Sequence, residues 1–192
     1  MMAFAAISDP EQEALAALDR GTFDAALTIL MNAYGGAVYR YCLAMLSKTD
    51  LAEDARQLTF IQAHQGFRHF ERRSSFRSWI FGIAHHRCLD LLKAHRRRQD
   101  RFSSLEDAVE PPEPTESADT RLAARARGQA LTRCLSKLPQ EKRAAVLLRF
   151  QQELSYPEIA SLVNENAAAL QMRVSRTLIE LRKCLQREGW AA

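Results

Sequence analysis

Ser155-Tyr-Pro-Glu158-Ile-Ala-Ser-Leu162-Val-Asn164-Glu-Asn166-Ala-Ala-Ala-Leu170 reads as two helices meeting at a tight turn. Ser155 and Glu158 form a capping box, so a short helix starts there and runs to about Leu162. Asn164 tolerates the left-handed conformation that reverses the chain, and Asn166 can cap the next helix. A short helix, a tight turn and a longer helix make a helix-turn-helix.

Along the last helix Leu170, Val174, Leu181 and Leu185 fall on one inward stripe. That leaves Gln171, Ser175 and Arg176 outward, with Arg173 at the flank. Gln and Arg side chains suit base edges in a DNA major groove, and the small Ala168 and Ala169 would let the helix start approach a backbone. A helical hairpin with a solvated basic face is the plainer reading of the same stripe. Upstream, Leu131, Leu135 and Leu138 share a register, Pro139 breaks it, and Ala144 to Phe150 form the next apolar helix.

Residues 102–120 separate this unit from the rest. They hold six acidic side chains, no basic one, several prolines and no helical period, which describes a linker with little structure of its own. On either side the charge is positive: residues 56–101 carry 11 basic and 3 acidic side chains, and 121–192 carry 13 and 6. Residues 1–55 are acidic, with 3 basic against 8. Two basic blocks around an acidic tether fit a polyanionic partner. The domains expected are therefore 1–101 and 121–192.

In the first domain Asp9-Pro10-Glu11-Gln12 opens a helix expected to reach about Leu30, and a second is expected from about Tyr34 to Leu46. Asp50 and Glu53 suggest a capping box for a third, on which Leu51, Ala55 and Leu58 share one face while Glu53, Gln57 and Phe60 project from the other. An aromatic beside Asp54 and Gln57 suits docking to another protein, and suits cover by a neighbouring helix equally well. Residues 67–98 then interleave Phe67, Phe70, Phe76, Trp79 and Phe81 with Arg68, Arg72, Arg73, Arg77, Arg87 and Arg96-Arg97-Arg98. Cations follow phosphates and aromatics stack on unpaired bases, so this is the composition of a strand-opening surface, although Phe76, Ile80, Ile83 and Leu91 share a core-facing stripe.

The 192 residues, 47% hydrophobic and 26% charged with only 7 Gly and 6 Pro, favour an all-helical chain of one or two small domains. No apolar run approaches the roughly 20 residues of a membrane helix, and the first ten residues lack a secretory pattern, so neither membrane insertion nor secretion is expected. Cys42, Cys88, Cys134 and Cys184 lie far apart, and the expectation is buried, reduced thiols, with Cys88 and Cys184 the positions at which a redox role is conceivable. His85, His86 and Cys88 do not make a metal set, since adjacent histidines diverge by about 100° and no fourth ligand is near. No phosphate-binding glycine loop or catalytic triad pattern is present, so no cofactor, metal or catalysis is expected.

Together these segments resemble a known family. Asp50-Leu-Ala-Glu-Asp-Ala-Arg-Gln-Leu-Thr-Phe-Ile61, Phe76-Arg-Ser-Trp-Ile-Phe-Gly-Ile-Ala84 with Asp90, Leu138-Pro139, Arg143, Leu154-Ser-Tyr-Pro-Glu-Ile-Ala160 and the Arg173, Arg176 pair are similar to the sigma-70 family of RNA polymerase sigma factors, in its two-domain extracytoplasmic-function group. The resemblance implies a region 2 helical bundle and a region 4 helix-turn-helix in a cytoplasmic bacterial protein. Asp54, Gln57, Phe60 and Ile61 would meet the clamp helices of the largest subunit of core RNA polymerase. Arg72, Arg73, Ser75, Arg77, Trp79, Phe81 and His86 would open and read the promoter −10 element. Arg149, Ala168, Ala169, Gln171, Arg173, Ser175 and Arg176 would read the −35 element, and an anti-sigma factor would silence both faces. His86 replaces the family's usual Asn, Ala168-Ala169 its common Gly-Thr, and Leu58 a frequent acid, which bears on promoter sequence and on one docking contact. The competing classes are a stand-alone helix-turn-helix regulator of duplex operators and, less well matched, an RNA-binding adaptor.

Overall fold

The first helix obeys its cap: the Asp9 carboxylate accepts from the Glu11 amide at 3.0 Å, and Pro10 sits in the first turn. It ends sooner than its periodicity predicts. In this computed structural model, which describes residues 9–101 and 119–190 and the side chains of 9–97 and 127–190, α1 spans Pro10–Asp19. The chain then turns through Gly21 at φ +73°, where the Thr22 amide and hydroxyl both donate to the Ala17 carbonyl at 2.9 Å. The expected helix to Leu30 is thus cut in two, because a left-handed glycine and a threonine cap end it. The following helix absorbs both the remainder and the segment expected to start at Tyr34: α2 spans Phe23–Leu46 without a break. Its stripe Leu30, Tyr34, Val38, Tyr41, Cys42, Met45 is buried, and that continuous packing overrides the local weakness of Gly35-Gly36.

α3 spans Thr49–Gly66, with Lys48 rather than Asp50 at the cap position; Asp50 lies in the first turn, and Glu53 pairs with Arg56. A single tight turn, Phe67–His69, leads toward α4, Phe76–Arg101. Ser75 caps α4, accepting from the Ser78 amide at 3.1 Å through its hydroxyl and from the Trp79 amide at 3.0 Å through its carbonyl. Helices α1 to α4 form one bundle around Tyr41, Phe76, Ile80 and Phe81.

The second unit contains α5, Asp119–Ser136, α6, Gln140–Val146, a wide-turned extension Leu147–Gln151, α7, Tyr156–Val163, and α8, Ala167–Arg187. Of the acidic segment expected over 102–120, residues 102–118 lie outside the described residues, while Asp119 and Thr120 belong to α5. The capping box is present: the Ser155 amide donates to Glu158 Oε2 at 2.8 Å, and the Glu158 amide donates to Ser155 Oγ at 3.4 Å. Asn164 turns the chain at φ 54°, and the Asn166 carboxamide accepts from the amides of Ala168 and Ala169 at 2.9 and 3.3 Å. Among the described residues all regular structure is helical.

The two units share a core, and polar bonds hold them together. Arg143, 9% exposed, donates to the Met45 carbonyl at the end of α2 (2.8 Å) and to the Ser136 and Leu138 carbonyls at the end of α5 (2.7 and 3.2 Å). Arg77 of α4 donates to the Gln152 carbonyl at 2.7 Å. Gly82 allows α7 onto α4, since a Cβ there would lie 2.6 Å from Leu162 Cδ2.

His85 is buried in this bundle, sharing a 3.0 Å hydrogen bond between its Nδ1 and the Tyr41 hydroxyl. Burial, with a smaller contribution from His86, pushes its pKa down from 6.5 to about 4. The folded protein therefore resists protonation that the unfolded chain accepts, so stability is full above pH 6.5 and falls as the pH drops toward 4. Urea unfolding across that range should show a loss of up to about 3 kcal/mol that is absent from His85→Gln; equal pH slopes for both proteins would contradict this.

Candidate nucleic-acid interface

The charged and aromatic residues of the first unit are arranged by Glu11, which the sequence patterns left unremarked beyond its place in the α1 start. Its carboxylate accepts from the Phe76 and Arg77 amides at 3.2 and 2.9 Å and from the Tyr34 hydroxyl at 2.6 Å. An acid from α1 thus satisfies the amides at the start of α4, where the helix dipole favours negative charge. Burial and the bond to Glu11 raise the Tyr34 pKa well above its ordinary value. Arg77 lies over the Tyr34 ring at 5.7 Å, its guanidinium tied to the second unit.

Beside this anchor stands an aromatic cluster. Phe70 stacks on Phe76 at 4.4 Å between centroids and lies 4.8 Å from Trp79, which also meets Phe67 at 5.9 Å. Trp79 remains half-buried, one edge facing a cleft of about 840 Å³ that also takes in Arg73, Gly82, His86 and Arg87, with Glu158 and Leu162 opposite. His86 is exposed and its ring Nδ1 donates to the Gly82 carbonyl at 2.7 Å. Arg72 pairs with Asp19 and Arg73 with Glu71 at 2.9 Å, both on the surface. Ser75 serves as the α4 cap. Phe81 is a correction: grouped with the DNA-facing aromatics by its place in the motif, it is fully buried, edge-on to Tyr41 at 5.7 Å. Two residues beyond Trp79, it lies about 200° around α4, on the core side.

α3 shows a second correction. Phe60, expected outward, is 3% exposed, and the inward face is Ala52, Ala55, Thr59, Phe60 and Ala63. Leu58, expected inward, is 40% exposed and Ile61 54%. Small alanines let α2 approach closely, which rotates the buried stripe by one position from that marked by the leucines. Asp54, Gln57 and Ile61 remain on the surface, and Gln57 and Ile61 line a cavity of about 360 Å³ between α2 and α3 together with Leu27, Met31 and Phe60. Hydrogen bonds from Arg56 and Gln57 lower the pKa of Glu53.

In the second unit α8 presents Ala168, Ala169, Gln171, Ser175 and Arg176 to solvent, while Leu170, Val174, Thr177 and Leu181 face inward. Arg173 is half-buried and held by Glu165 at 2.7 Å, and the Ser175 hydroxyl donates to the Gln171 carbonyl at 3.0 Å. Arg149 lies over Tyr156 at 5.2 Å and donates to the Leu154 carbonyl at 3.2 Å, beside the start of α7. Between the units runs an apolar groove of about 820 Å³ whose walls include Leu43 of α2, Leu131 and Leu135 of α5, Leu181 of α8, and Phe150 and Trp190. Leu131, predicted to share the inward register, opens onto it at 43% exposure.

The cysteine expectation holds for only two residues. Cys42 and Cys88 are buried free thiols, but Cys134 and Cys184 are joined as a disulfide. Fifty positions of sequence separate them, and only the packing of α5 against α8 brings them together. With the neighbouring Glu188 they form the one compact Cys, His or carboxylate trio among the described residues, its sulfurs bonded to each other and its carboxylate engaged by Arg133 and Lys137.

A helical bundle followed by a capped helix-turn-helix is the architecture that the comparisons also find. The sequence profile of sigma-70 region 2 matches residues 30–98, and that of sigma-70 region 4 matches 128–181. The chain belongs to the sigma-70 family. Its relatives include the RNA polymerase sigma factor YlaC of Bacillus subtilis, 26% identical over 155 residues that cover 80% of this chain and 88% of the relative. The extracytoplasmic-function sigma factor SigM of the same organism is 29% identical over 140 residues, covering 70% and 80%. Among solved structures, the sigma factor RpoE in complex with the anti-sigma factor NepR from Bartonella quintana shares the fold at TM-score 0.67 and 24% identity, covering 81% of this chain and 94% of that one. CnrH in complex with the cytosolic domain of CnrY does so at TM-score 0.67 and 21% identity, covering 93% and 99%.

In this sigma factor Glu11 lies outside the region 2 match, yet it holds the start of the aromatic helix. Glu11→Ala should leave two helix amides and a phenol without their acceptor and cost about 2 to 3 kcal/mol in urea unfolding. Glu11→Gln should cost less, because its amide oxygen still accepts. A loss below about 0.5 kcal/mol for Glu11→Ala would show that water replaces the carboxylate.

Proposed function

We propose that this chain is an extracytoplasmic-function sigma factor that binds core RNA polymerase, reads the −35 and −10 promoter elements and promotes strand opening. The single observation that carries this reading is the pairing, in one chain, of a capped recognition helix presenting Gln171 and Arg176 with an aromatic-cationic helix presenting Trp79 and His86. A stand-alone operator-binding regulator has no use for the second. We assign the unit of residues 1–101 to polymerase docking and −10 opening, 102–120 to a tether and 121–192 to −35 reading.

In this mechanism Asp54, Gln57 and Ile61 meet the polymerase clamp helices, with the cavity beside them receiving an apolar side chain. Phe60 and Phe81 shape those surfaces from within. Arg72, Arg73 and Arg77 follow the phosphates, and an unpaired base stacks against Trp79 with His86 beside it, each stack contributing about 1 to 3 kcal/mol. That is enough to offset the few kcal/mol of extruding a base, so binding alone drives opening. Gln171 and Arg176 read base edges, Ser175 and Arg173 support them, and the amides of Ala168 and Ala169 lie at the helix end that favours phosphate. Regulation without catalysis of its own, in the cytoplasm of a bacterium, completes the reading.

Arg143, Arg77 and the Gly82–Leu162 contact hold the second unit against the first, with α7 across the cleft from Trp79. We infer that this is a closed, resting arrangement that core polymerase opens. The buried Arg143 Nε, without a partner among the described residues, leaves the joint incompletely compensated, which suits a contact made to separate. An anti-sigma factor, the kind of partner named for RpoE, would hold the silent state.

Run-off transcription with bacterial core polymerase over a promoter library at fixed salt tests the reading. Initiation should depend on the protein, fall at least about tenfold in Gln57→Ala or Arg176→Ala, and weaken steeply with salt. Specific duplex binding without any effect on polymerase would favour the stand-alone regulator.

A further inference from the structure

The disulfide between α5 and α8 belongs to none of these surfaces. Its Cα atoms are 5.8 Å apart, near the middle of the range that a disulfide bridges without moving backbone, so closure needs no rearrangement of the helices. Cys134 is 1% exposed, whereas Cys184 is half-buried and reachable. Arg133 and Lys137 flank the pair on α5, both bound to Glu188 just beyond α8, at 2.8 and 3.3 Å. The Glu188 carboxylate lies within 4.8 Å of both sulfurs, and the partial exposure of Cys184 gives an oxidant access. Cys88 is the contrast: a hydrogen bond with Cys42 and burial hold its thiol raised, out of an oxidant's reach.

The bond also matters to how α5 is held. Of its residues between 127 and 136 only Ala130, Cys134 and Leu135 are buried, and the others face solvent. Cys134 is the middle of that narrow stripe, so the sulfur bond is a large part of what fastens α5 to the helix that carries Gln171 and Arg176. It also ties together the Leu131 and Leu181 walls of the interdomain groove.

We propose that Cys134 and Cys184 form a reversible thiol-disulfide pair, closed by a small hydroperoxide and opened by a dithiol, whose bonded state locks α5 onto α8 and whose reduced state releases it. In closure the Cys184 thiolate attacks one peroxide oxygen and breaks the O–O bond, giving a sulfenic acid and, with hydrogen peroxide, one water after protonation. The Cys134 sulfur then attacks the sulfenic sulfur, forming S–S and releasing the second water. Two thiols lose two electrons and two protons, and the peroxide becomes two waters. In opening, a dithiol supplies two electrons and two protons and leaves as its own disulfide.

The test uses the full chain, treated with dithiothreitol and, after its removal, with hydrogen peroxide. Native-state alkylation with mass spectrometry should label Cys134 and Cys184 after reduction and neither after peroxide, which should yield a cross-linked 134–184 peptide. Hydrogen exchange of residues 127–136 should be at least about tenfold slower in the oxidised form. Cys134→Ala/Cys184→Ala, and separately Cys134→Ser, should exchange at the reduced rate under both conditions. A pair that stays closed in dithiothreitol while the protein is folded, a peroxide product other than the intramolecular bond, or equal α5 exchange in both forms would overturn the proposal. These readouts need neither polymerase nor promoter, so they stand or fall apart from the transcriptional reading.

Discussion

A buried guanidinium holds the ends of two helices from different halves of this chain. α2 and α5 each finish with carbonyls that lack an intrahelical partner, and such groups need a donor when covered. Arg143 supplies one to Met45 and two to Ser136 and Leu138. Burial lowers its pKa, yet an arginine keeps its charge, so the three carbonyls must compensate for the water it has lost. The apolar contact between the units forms around this joint, and the cleft at Trp79 and the groove at Leu131 exist because the joint sets how the units approach.

The joint also sets α7 against the cleft that Trp79 and His86 line. Arg77 is drawn into the same arrangement: its amide is capped by Glu11, its guanidinium by the Gln152 carbonyl. A side chain expected to follow phosphates is thus engaged within the protein, and so is the glycine that admits Leu162. Opening the joint would free Arg77 and uncover the cleft that Trp79 and His86 line, which makes access to that cleft a property of the whole chain rather than of any single surface.

Local chemistry was legible in the sequence where a few adjacent residues determine it. Asp9, the Ser155–Glu158 box, Asn164 and Asn166 adopt the cap and turn roles their side chains favour, and the α8 stripe follows from its period. Features set by tertiary approach were not legible. The α1 end at Gly21, the continuity of α2 through Gly35-Gly36 and the rotation of α3 that buries Phe60 each depend on which neighbour packs closest. Glu11, Arg143 and the Cys134–Cys184 bond join residues far apart in sequence, and no spacing rule announces them. The resemblance carried the two regions in their order, but it did not say which motif residues face inward, as Phe81 demonstrates.

The most direct test of a closed joint that polymerase opens is the distance between the units in solution. Spin labels at Gln65→Cys and Ile179→Cys, in a background with Cys134 and Cys184 still bonded, would report it by pulsed electron paramagnetic resonance. The free protein should give one short, narrow distribution, core polymerase should move it to longer distances, and Arg143→Met should broaden it toward those distances without polymerase. A distribution unchanged by both core polymerase and Arg143→Met would contradict the account.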